Sequence, residues 1–503
     1  CDPDYGGQGL PHSLQFILDE LVCSTNLSFG MYPGLSHGAY NALHLHGSDE
    51  QKNIFLPRLT DGSWSGTMCL TEPHCGTDLG LIRTKAEPDG NGAYKVSGTK
   101  IFISAGEHDL TENIIHLVLA KLPDAPPGTK GISLFIVPKF LVKDDGTLGP
   151  RNGVACGSIE HKMGIKASST CVMNFDEAEG YLVGQPHKGM RYMFTMMNVA
   201  RLAVGIQGLG LAETAYQSAA AYAKERLQGR SLAGAKHPDK AADPIIVHPD
   251  VRKNLLTMRA CNEGARALAI WIGMAVDIAE RHPDPERRRE ADDLVALMTP
   301  VIKAYFTDYG FEATNLGVQV LGGHGYIREW GLEQLVRDAR IAQLYEGANG
   351  IQALDLVGRK LGQNMGRLLR RFFHPVQAFL EAQESDPRML EFIAPLAKVL
   401  GRLQGATLHV AQQGLKDPEE AGAAASDYLR LFALTAMAYI WARMAKVSLD
   451  RLEHPEGDNA GFYRAKLATA RFFMTRLLPQ SSAHFSAIMS GKAPLMELEE
   501  AAF

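Results

Sequence analysis

The chain has 503 residues, 46% apolar and 21% charged, and its 51 Lys+Arg against 56 Asp+Glu give a formal charge of −5. At about 100–200 residues per domain this length implies three or four domains, and so large an apolar share fills real cores and excludes disorder as the general state. The charge excludes a nucleic-acid binder that works by phosphate neutralisation, and apolar runs such as ALAIWIGMAV (267–276) fall short of the ~18–20 residues of a membrane span.

The seven cysteines are scattered, odd in number and absent beyond Cys261, with no C-x-x-C pair. They read as free thiols in a reducing compartment, hence a cytoplasmic protein, and not as a disulfide frame or zinc knuckle. The opening CDPDYGGQGLP carries no charged-then-apolar leader and reads as the interior of a longer chain. From Ser13 to Arg58 the pattern is helical: Leu14, Ile17, Leu18 and Leu21 recur at helix spacing, and Ser48 with Gln51 has the form of an N-cap pair.

Between about 63 and 185 the texture becomes β. IIHLVLAKL (114–122), GISLFIVPKFLV (131–142) and CVMNFDEA (171–178) are strand-like and separated by turn residues, as in EPDGNGAY (87–94). Helices return after Gly189. Two long ones are expected at 201–228 and 293–321, with a polar, proline-bearing loop (234–249) between, and Arg287–Arg289 reads as a solvated helix end. The last part, about 366–503, is helical; on it Leu429, Phe432, Ala436, Tyr439 and Ile440 make a packing stripe. Helices, sheet, helices, more helices is an α+β order, without the strand–helix alternation of a doubly wound sheet.

Gly208 and Gly210 lie within a helix, which suits close helix packing and not a dinucleotide fingerprint. No phosphate loop is present, no HE-x-x-H, and the histidines lack ligand spacing, so no metal is expected. Three segments stand out. TMCLTEPHCGTD (67–78) is a hydroxyl-rich turn suited to a heterocycle edge or phosphate, or an ordinary strand connection. SGTKIFISAG (97–106) is an alternating strand. In RDARIAQLYEGANGIQALDLVGRK (337–360), Glu346 sits on a glycine-flanked break: either a carboxylate made more basic by partial burial, or one paired with Arg337 or Arg340.

Together these segments resemble the acyl-CoA dehydrogenase family over about residues 1–366. YGGQGLP (5–11), CLTEPHCGTD, KIFISAG, ARLAVGIQGLGLAETAY, ERLQGR (225–230), QVLGGHGY (319–326) and YEGANGIQ (345–352) follow in the family's order. The resemblance implies N-terminal helices (1–62, cut short), a middle antiparallel β domain (63–185), a C-terminal four-helix bundle (186–366) and an extra helical domain (367–503). It implies FAD and an acyl-CoA substrate. Cys69, Leu70 and Thr71 match the stretch along the flavin pyrimidine edge, and Phe102, Ile103 and Ser104 the segment beside flavin N5. Arg226, with the loop of Gln319, Gly322 and Gly323, matches residues that reach the FAD of a neighbouring subunit, which implies a homodimer. Thr77 and Arg201 match positions near the acyl-CoA, with Thr77 also on the cofactor side. Gly347 matches the substrate side, Ala348 and Asn349 the cofactor side, and Glu346 the catalytic base. Two departures are Phe102 for the usual Trp and Ala348 for the usual Thr or Ser.

The implied chemistry is α,β-dehydrogenation. The Glu346 backbone N–H and a flavin ribityl hydroxyl polarise the thioester, Glu346 takes the C2 proton, and flavin accepts the C3 hydride. The long C-terminal part and YEGANGIQALDLVGRK are most similar to the subfamily acting on 3-methylmercaptopropionyl-CoA in dimethylsulfoniopropionate demethylation. A general short- or medium-chain dehydrogenase is the alternative, followed by an acyl-CoA oxidase or a non-catalytic flavoprotein. The expected electron acceptor is an electron-transferring flavoprotein, with no nucleic-acid or membrane partner.

Overall fold

A computed structural model describes residues 1–143, 145–454, 457 and 459–503. The chain forms two compact units, Cys1–Leu10 with Asn26–Ala203, and Pro11–Thr25 with Val204–Phe503. Helix α1 (His12–His46) crosses from one to the other at Asn26, whose φ of −156° and ψ of 88° break the helix. The Asn26 side chain then accepts the Phe29 N–H at 3.0 Å and recaps the second half.

In the first unit, α2 (Asp49–Asp61) starts with the expected capping box of Ser48 and Gln51. The strands are β1 (Trp64–Cys69), β2 (Lys85–Pro88), β3 (Tyr94–Ser104), β4 (Asn113–Lys121), β5 (Ile132–Pro138), β6 (Phe140–Val142), β7 (Leu148–Arg151), β8 (Val154–Ile159) and β9 (Thr170–Leu182). The main sheet runs β1-β4-β2-β3-β9-β5, and β5 also pairs with β4, so the path closes on itself. Pairing is antiparallel except that β1, and one residue of β2, run parallel to β4. Alternation explains why β4 reads as an unbroken apolar run. Ile115, Leu117 and Leu119 join a core with Tyr40, Phe55, Trp64 and Met196, while Val118 and Ala120 join another with Val96, Phe135 and Phe175.

The second unit is helical: the end of α3 (Gly189–Glu225), α4 (Pro249–Arg281), α5 (Pro285–Leu321), α6 (Gly323–Tyr326), α7 (Leu332–Ala339), α8 (Asn349–Asp355), α9 (Arg367–Gln383), α10 (Leu390–Lys416), α11 (Pro418–Glu453), α12 (Ala460–Phe472) and α13 (Ser481–Met489). The glycines of α3 do what their position suggested. A Cβ on Gly208 would lie 2.4 Å from the Phe306 carbonyl, one on Gly310 2.5 Å from the Gly208 carbonyl, and one on Gly210 2.9 Å from Cys23 Cβ. The α11 stripe is buried throughout, from Leu429 to Ile440. By contrast the stripe of Leu14, Ile17, Leu18 and Leu21 is exposed, and α1 buries Phe16 and Cys23 instead. Among the described residues no helix is long and apolar enough to cross a membrane.

Candidate active site

Two of the singled-out segments meet at one end of the sheet in the first unit. β1 ends in buried Cys69 and Leu70, and Thr71 follows half-buried. The Thr71 carbonyl accepts the Ile101 N–H at 2.9 Å, which places Thr71 beside the 101–104 stretch. There the β3–β9 register slips between Lys100 and Ile103, a bulge that inserts extra chain. Phe102 sits on it with φ 58° and is 60% exposed, whereas Ile103 turns into the core and Ser104 pairs with Thr170. Ala105 is also left-handed, at φ 55°. A bulged, non-glycine residue holding an aromatic ring out of a sheet end is a costly local choice, of the kind concentrated at functional sites.

Sequence reasoning passed over the groups that fasten this edge. Lys100, completely buried, donates from Nζ to the Leu70 carbonyl at 3.0 Å and to Glu72 Oε1 at 2.8 Å. Glu72 also accepts the Thr84 N–H (3.0 Å) and hydroxyl (2.6 Å) and the Arg83 N–H (2.7 Å). Glu72, His74 and Cys75 come within 4.8 Å of one another, but these partners already commit the Glu72 carboxylate. The one sequence signal was a lysine at an inward-facing strand position. Thr77 is exposed on the same turn, next to Gly76, whose Cβ position is 3.6 Å from the Thr71 methyl. Arg201 lies on a different element, α3, with its guanidinium 5.7 Å from the Phe194 ring centre.

In the second unit, Glu346 lies half-buried on the break between a short turn (Arg340–Gln343) and α8. Its φ is 56° and that of Gly347 is 83°. For a non-glycine residue the left-handed region costs roughly 1–2 kcal/mol, so the surroundings must impose it. Lys303, fully buried in α5, donates to the Gly347 carbonyl and to Asn349 Oδ1, both at 2.8 Å. Gln352 Nε2 reaches the Glu346 and Gly347 carbonyls at 3.1 and 3.2 Å. Asn349 Nδ2 donates to Asp308 at 2.6 Å, and Asp308 also takes Gln343 at 2.8 Å and Arg430 of α11 at 3.2 Å. Arg337, one of the considered partners of Glu346, is held by Glu333 at 2.6 Å. Ala348 is the N-cap of α8 and brings no side-chain cap.

A second feature of this unit is an open pocket of ≈ 470 Å³ lined by Tyr222, Arg226, Leu321, His324 and Trp330, among others. It brings Arg226, exposed just past α3, together with the turn that follows Gln319. Gly322 there adopts φ 60° and ψ −133°, a conformation open only to glycine, and both it and Gly323 are exposed. Tyr222 Oη and His324 Nδ1 lie 2.8 Å apart, and His324 stacks on Trp330 at 4.9 Å. A cation beside stacked rings can take a phosphate and a purine; the exposed ring of Phe102 beside Thr71 can take a flat heterocycle.

The sequence matches family models for the acyl-CoA dehydrogenase N-terminal domain (1–63), middle domain (67–178) and C-terminal domain (187–361), and for an acetyl-CoA dehydrogenase C-terminal-like region (372–499). It is 45% identical to the 3-methylmercaptopropionyl-CoA dehydrogenase of Ruegeria pomeroyi, over 96% of this chain and 82% of that one. The chain belongs to the acyl-CoA dehydrogenase family. As such it is a FAD-dependent oxidoreductase acting on acyl-CoA. This dehydrogenase is also 36% identical to a broad-specificity linear acyl-CoA dehydrogenase of Mycobacterium tuberculosis, over all of its own length and 84% of the relative's. Its fold is that of an acyl-CoA dehydrogenase from Bacillus anthracis solved with FAD: TM-score 0.77 at 22% identity, covering 97% of this chain and 80% of the other.

Proposed function

We propose that the enzyme dehydrogenates 3-methylmercaptopropionyl-CoA to methylthioacryloyl-CoA, with Glu346 as the base. The observation that carries the base assignment is the Glu346–Gly347 break: a half-buried carboxylate on left-handed backbone, fastened from behind by Lys303 and Gln352. The 45% identity over nearly the whole chain supports the substrate. The Glu346 N–H polarises the thioester carbonyl, and its carboxylate removes the C2 proton. FAD, when bound, supplies the acceptor for the C3 hydride. Glu346 then holds the proton until the enoyl thioester leaves.

In the same reading Leu70, Thr71, Thr77, Phe102, Ser104, Ala348 and Asn349 line the flavin, with Cys69 and Ile103, whose side chains are buried in the core, offering it backbone only, and Thr77, Arg201 and Gly347 line the acyl-CoA. Arg226 with Gln319, Gly322 and Gly323 serves the FAD of a second subunit, so the enzyme works as a homodimer. The domains divide at 1–62, 63–185, 186–366 and 367–503, the acceptor is an electron-transferring flavoprotein, and the seven free thiols fit the cytosol.

The test is anaerobic bleaching of the yellow enzyme by methylthiopropionyl-, butyryl-, octanoyl- and palmitoyl-CoA, with Glu346→Gln beside the wild type. Fastest bleaching by the methylthio substrate, and none in the variant, is expected. Faster bleaching by a longer chain would overturn the substrate, bleaching of the variant at the wild-type rate would overturn the base, and peroxide formed in air at full turnover would make the enzyme an oxidase.

A further inference from the structure

Lys100 and Glu72 form an ion pair with 0% and 3% side-chain exposure. Taking two charges out of water is expensive, and an apolar pair of similar volume commonly serves stability as well or better. The pair's bonds show what else it does. Nζ of Lys100 fixes the Leu70 carbonyl, one residue before Thr71, and Lys100 itself is the last residue before the bulge that presents Phe102. Glu72 directly follows Thr71 and is fixed in turn by the Thr84 hydroxyl and by the N–H groups of Arg83 and Thr84. The turn Glu72–Cys75 is closed by two backbone bonds of 2.9 and 3.0 Å, so Glu72 cannot shift without the turn. The residues next to the pair along the chain, Ile101 after Lys100 and Thr71 before Glu72, are joined by the Ile101 N–H to Thr71 carbonyl bond at 2.9 Å. One pair therefore ties Thr71, just past the end of β1, to the part of β3 that carries Phe102.

We propose that Glu72 and Lys100 are positioning residues that clamp the Thr71–Phe102 edge in the geometry that receives the flavin ring. The proposal rests on the reading of that edge as the flavin side of the FAD site. Neither residue touches the reacting atoms; they act through Leu70, Thr71 and the bulge. Loss of either charge leaves the other buried without its counterion and lets the edge relax, whereas loss of one hydroxyl at Thr84 loosens the carboxylate without uncovering a charge.

The experiment uses the full chain, stripped of FAD and reloaded, as wild type, Glu72→Gln, Lys100→Met, the double variant and Thr84→Val. FAD affinity is read by quenching of flavin fluorescence, and ring environment by the visible absorption band and the flavin midpoint potential. We expect affinity to fall about tenfold or more in both single charge variants, equivalent to ~1.4 kcal/mol, with a shifted flavin band and potential. The double variant should regain thermal stability without regaining affinity, since it removes the charge imbalance but not the clamp. Thr84→Val should weaken FAD about threefold, and it decides the matter if a charge variant fails to fold. Folded variants that bind FAD with wild-type affinity, band and potential, and differ only in melting temperature, would overturn the clamp. A wild type that takes up no FAD would instead overturn the cofactor reading on which it rests.

Discussion

Replacing Lys303 with methionine tests how the proposed base, Glu346, is held. The fully buried ammonium makes two 2.8 Å bonds, to the Gly347 carbonyl and to Asn349 Oδ1, which bracket Glu346 on its C-terminal side. Hydrogen bonds from a charged donor are worth about 1.5–3 kcal/mol each; methionine removes both, leaving the half-buried Gly347 carbonyl with Gln352 Nε2 at 3.2 Å and Asn349 Oδ1 with the Thr307 hydroxyl at 3.3 Å. Relief of the lysine's own desolvation offsets part of this, so a net loss of roughly 2–4 kcal/mol is expected. At about 2–4 °C per kcal/mol for a domain of this size, the melting temperature should fall by ~5–15 °C. The loop, no longer tethered, should let Glu346 leave its left-handed conformation, and a misplacement of about 1 Å costs up to ~100-fold in rate. Melting of the FAD-loaded enzyme and anaerobic bleaching by substrate measure the two effects. Arg430→Met is the graded control: its partner Asp308 holds the same loop, but the pair is 51% and 24% exposed, so only ~0.2–1 kcal/mol should be lost. If Lys303→Met melted and bleached like the wild type, or lost no more than Arg430→Met, the buried tether would not be what fixes the base.

His116, buried in the sheet core and bonded to Thr67 at 2.7 Å, has its pKa lowered to about 3 by desolvation. The folded imidazole stays neutral while the unfolded one protonates below ~6.5, so its stabilising contribution is complete above that pH and declines by about 1.4 kcal/mol per unit down to about 3. His116→Phe should remove about one proton from the uptake on unfolding near pH ~5, measured by calorimetry in buffers of different ionisation heat. Asp243 is held well below the usual carboxylate range, first by the Ser231 N–H and then by those of His237 and Lys236 and by Arg230. Its contribution is present above the ordinary carboxyl pKa and lost as pH falls through the depressed one; Asp243→Asn should therefore expose the 231–243 loop to limited proteolysis already at neutral pH. Gly347→Ala forces a side chain into φ 83° and should cost ~1–2 kcal/mol in the unfolding midpoint together with slower bleaching; an unchanged midpoint would mean that the break carries no strain.

The motif strings single out Thr71, Phe102 and Arg226 through the family resemblance they carry, and Glu346 through its glycine-flanked break as well. Their supports were not legible in the same way. Lys100 lies 28 residues from Glu72, and Lys303 lies 44 from Gly347 and 46 from Asn349; each partner is supplied by another element, and nothing in either neighbourhood names the other. What the sequence does show is a lone lysine inside an apolar stretch in MTPVIKAYF and one at the head of such a stretch in SGTKIFIS, which signals a buried partner without saying which. The helical spacing of Leu14, Ile17, Leu18 and Leu21 forecast the helix correctly but not its buried face. Periodicity reports that an apolar stripe exists, and only packing decides whether Phe16 or Leu18 turns inward.

Strain is the other quantity that the sequence concealed. Phe102, Ala105 and Glu346 are three of the eight non-glycine residues on left-handed backbone among the described residues, so no residue type marked them. Two of the three are the side chains assigned to meet flavin and substrate, and each is next to a buried lysine's reach: Lys100 precedes the Phe102 bulge, and Lys303 holds the carbonyl after Glu346. A buried ammonium has three directional donors and a large penalty for leaving them unused. It can therefore hold a strained carbonyl in place where an apolar contact would let it relax. In both units the side chain proposed to meet a ligand stands on left-handed backbone near a buried lysine, on the same strand for Phe102 and on a separate helix for Glu346. On the proposed site reading, such supports leave positions 102 and 348 free to carry Phe and Ala, because the lysines bond backbone and polar groups rather than those two side chains.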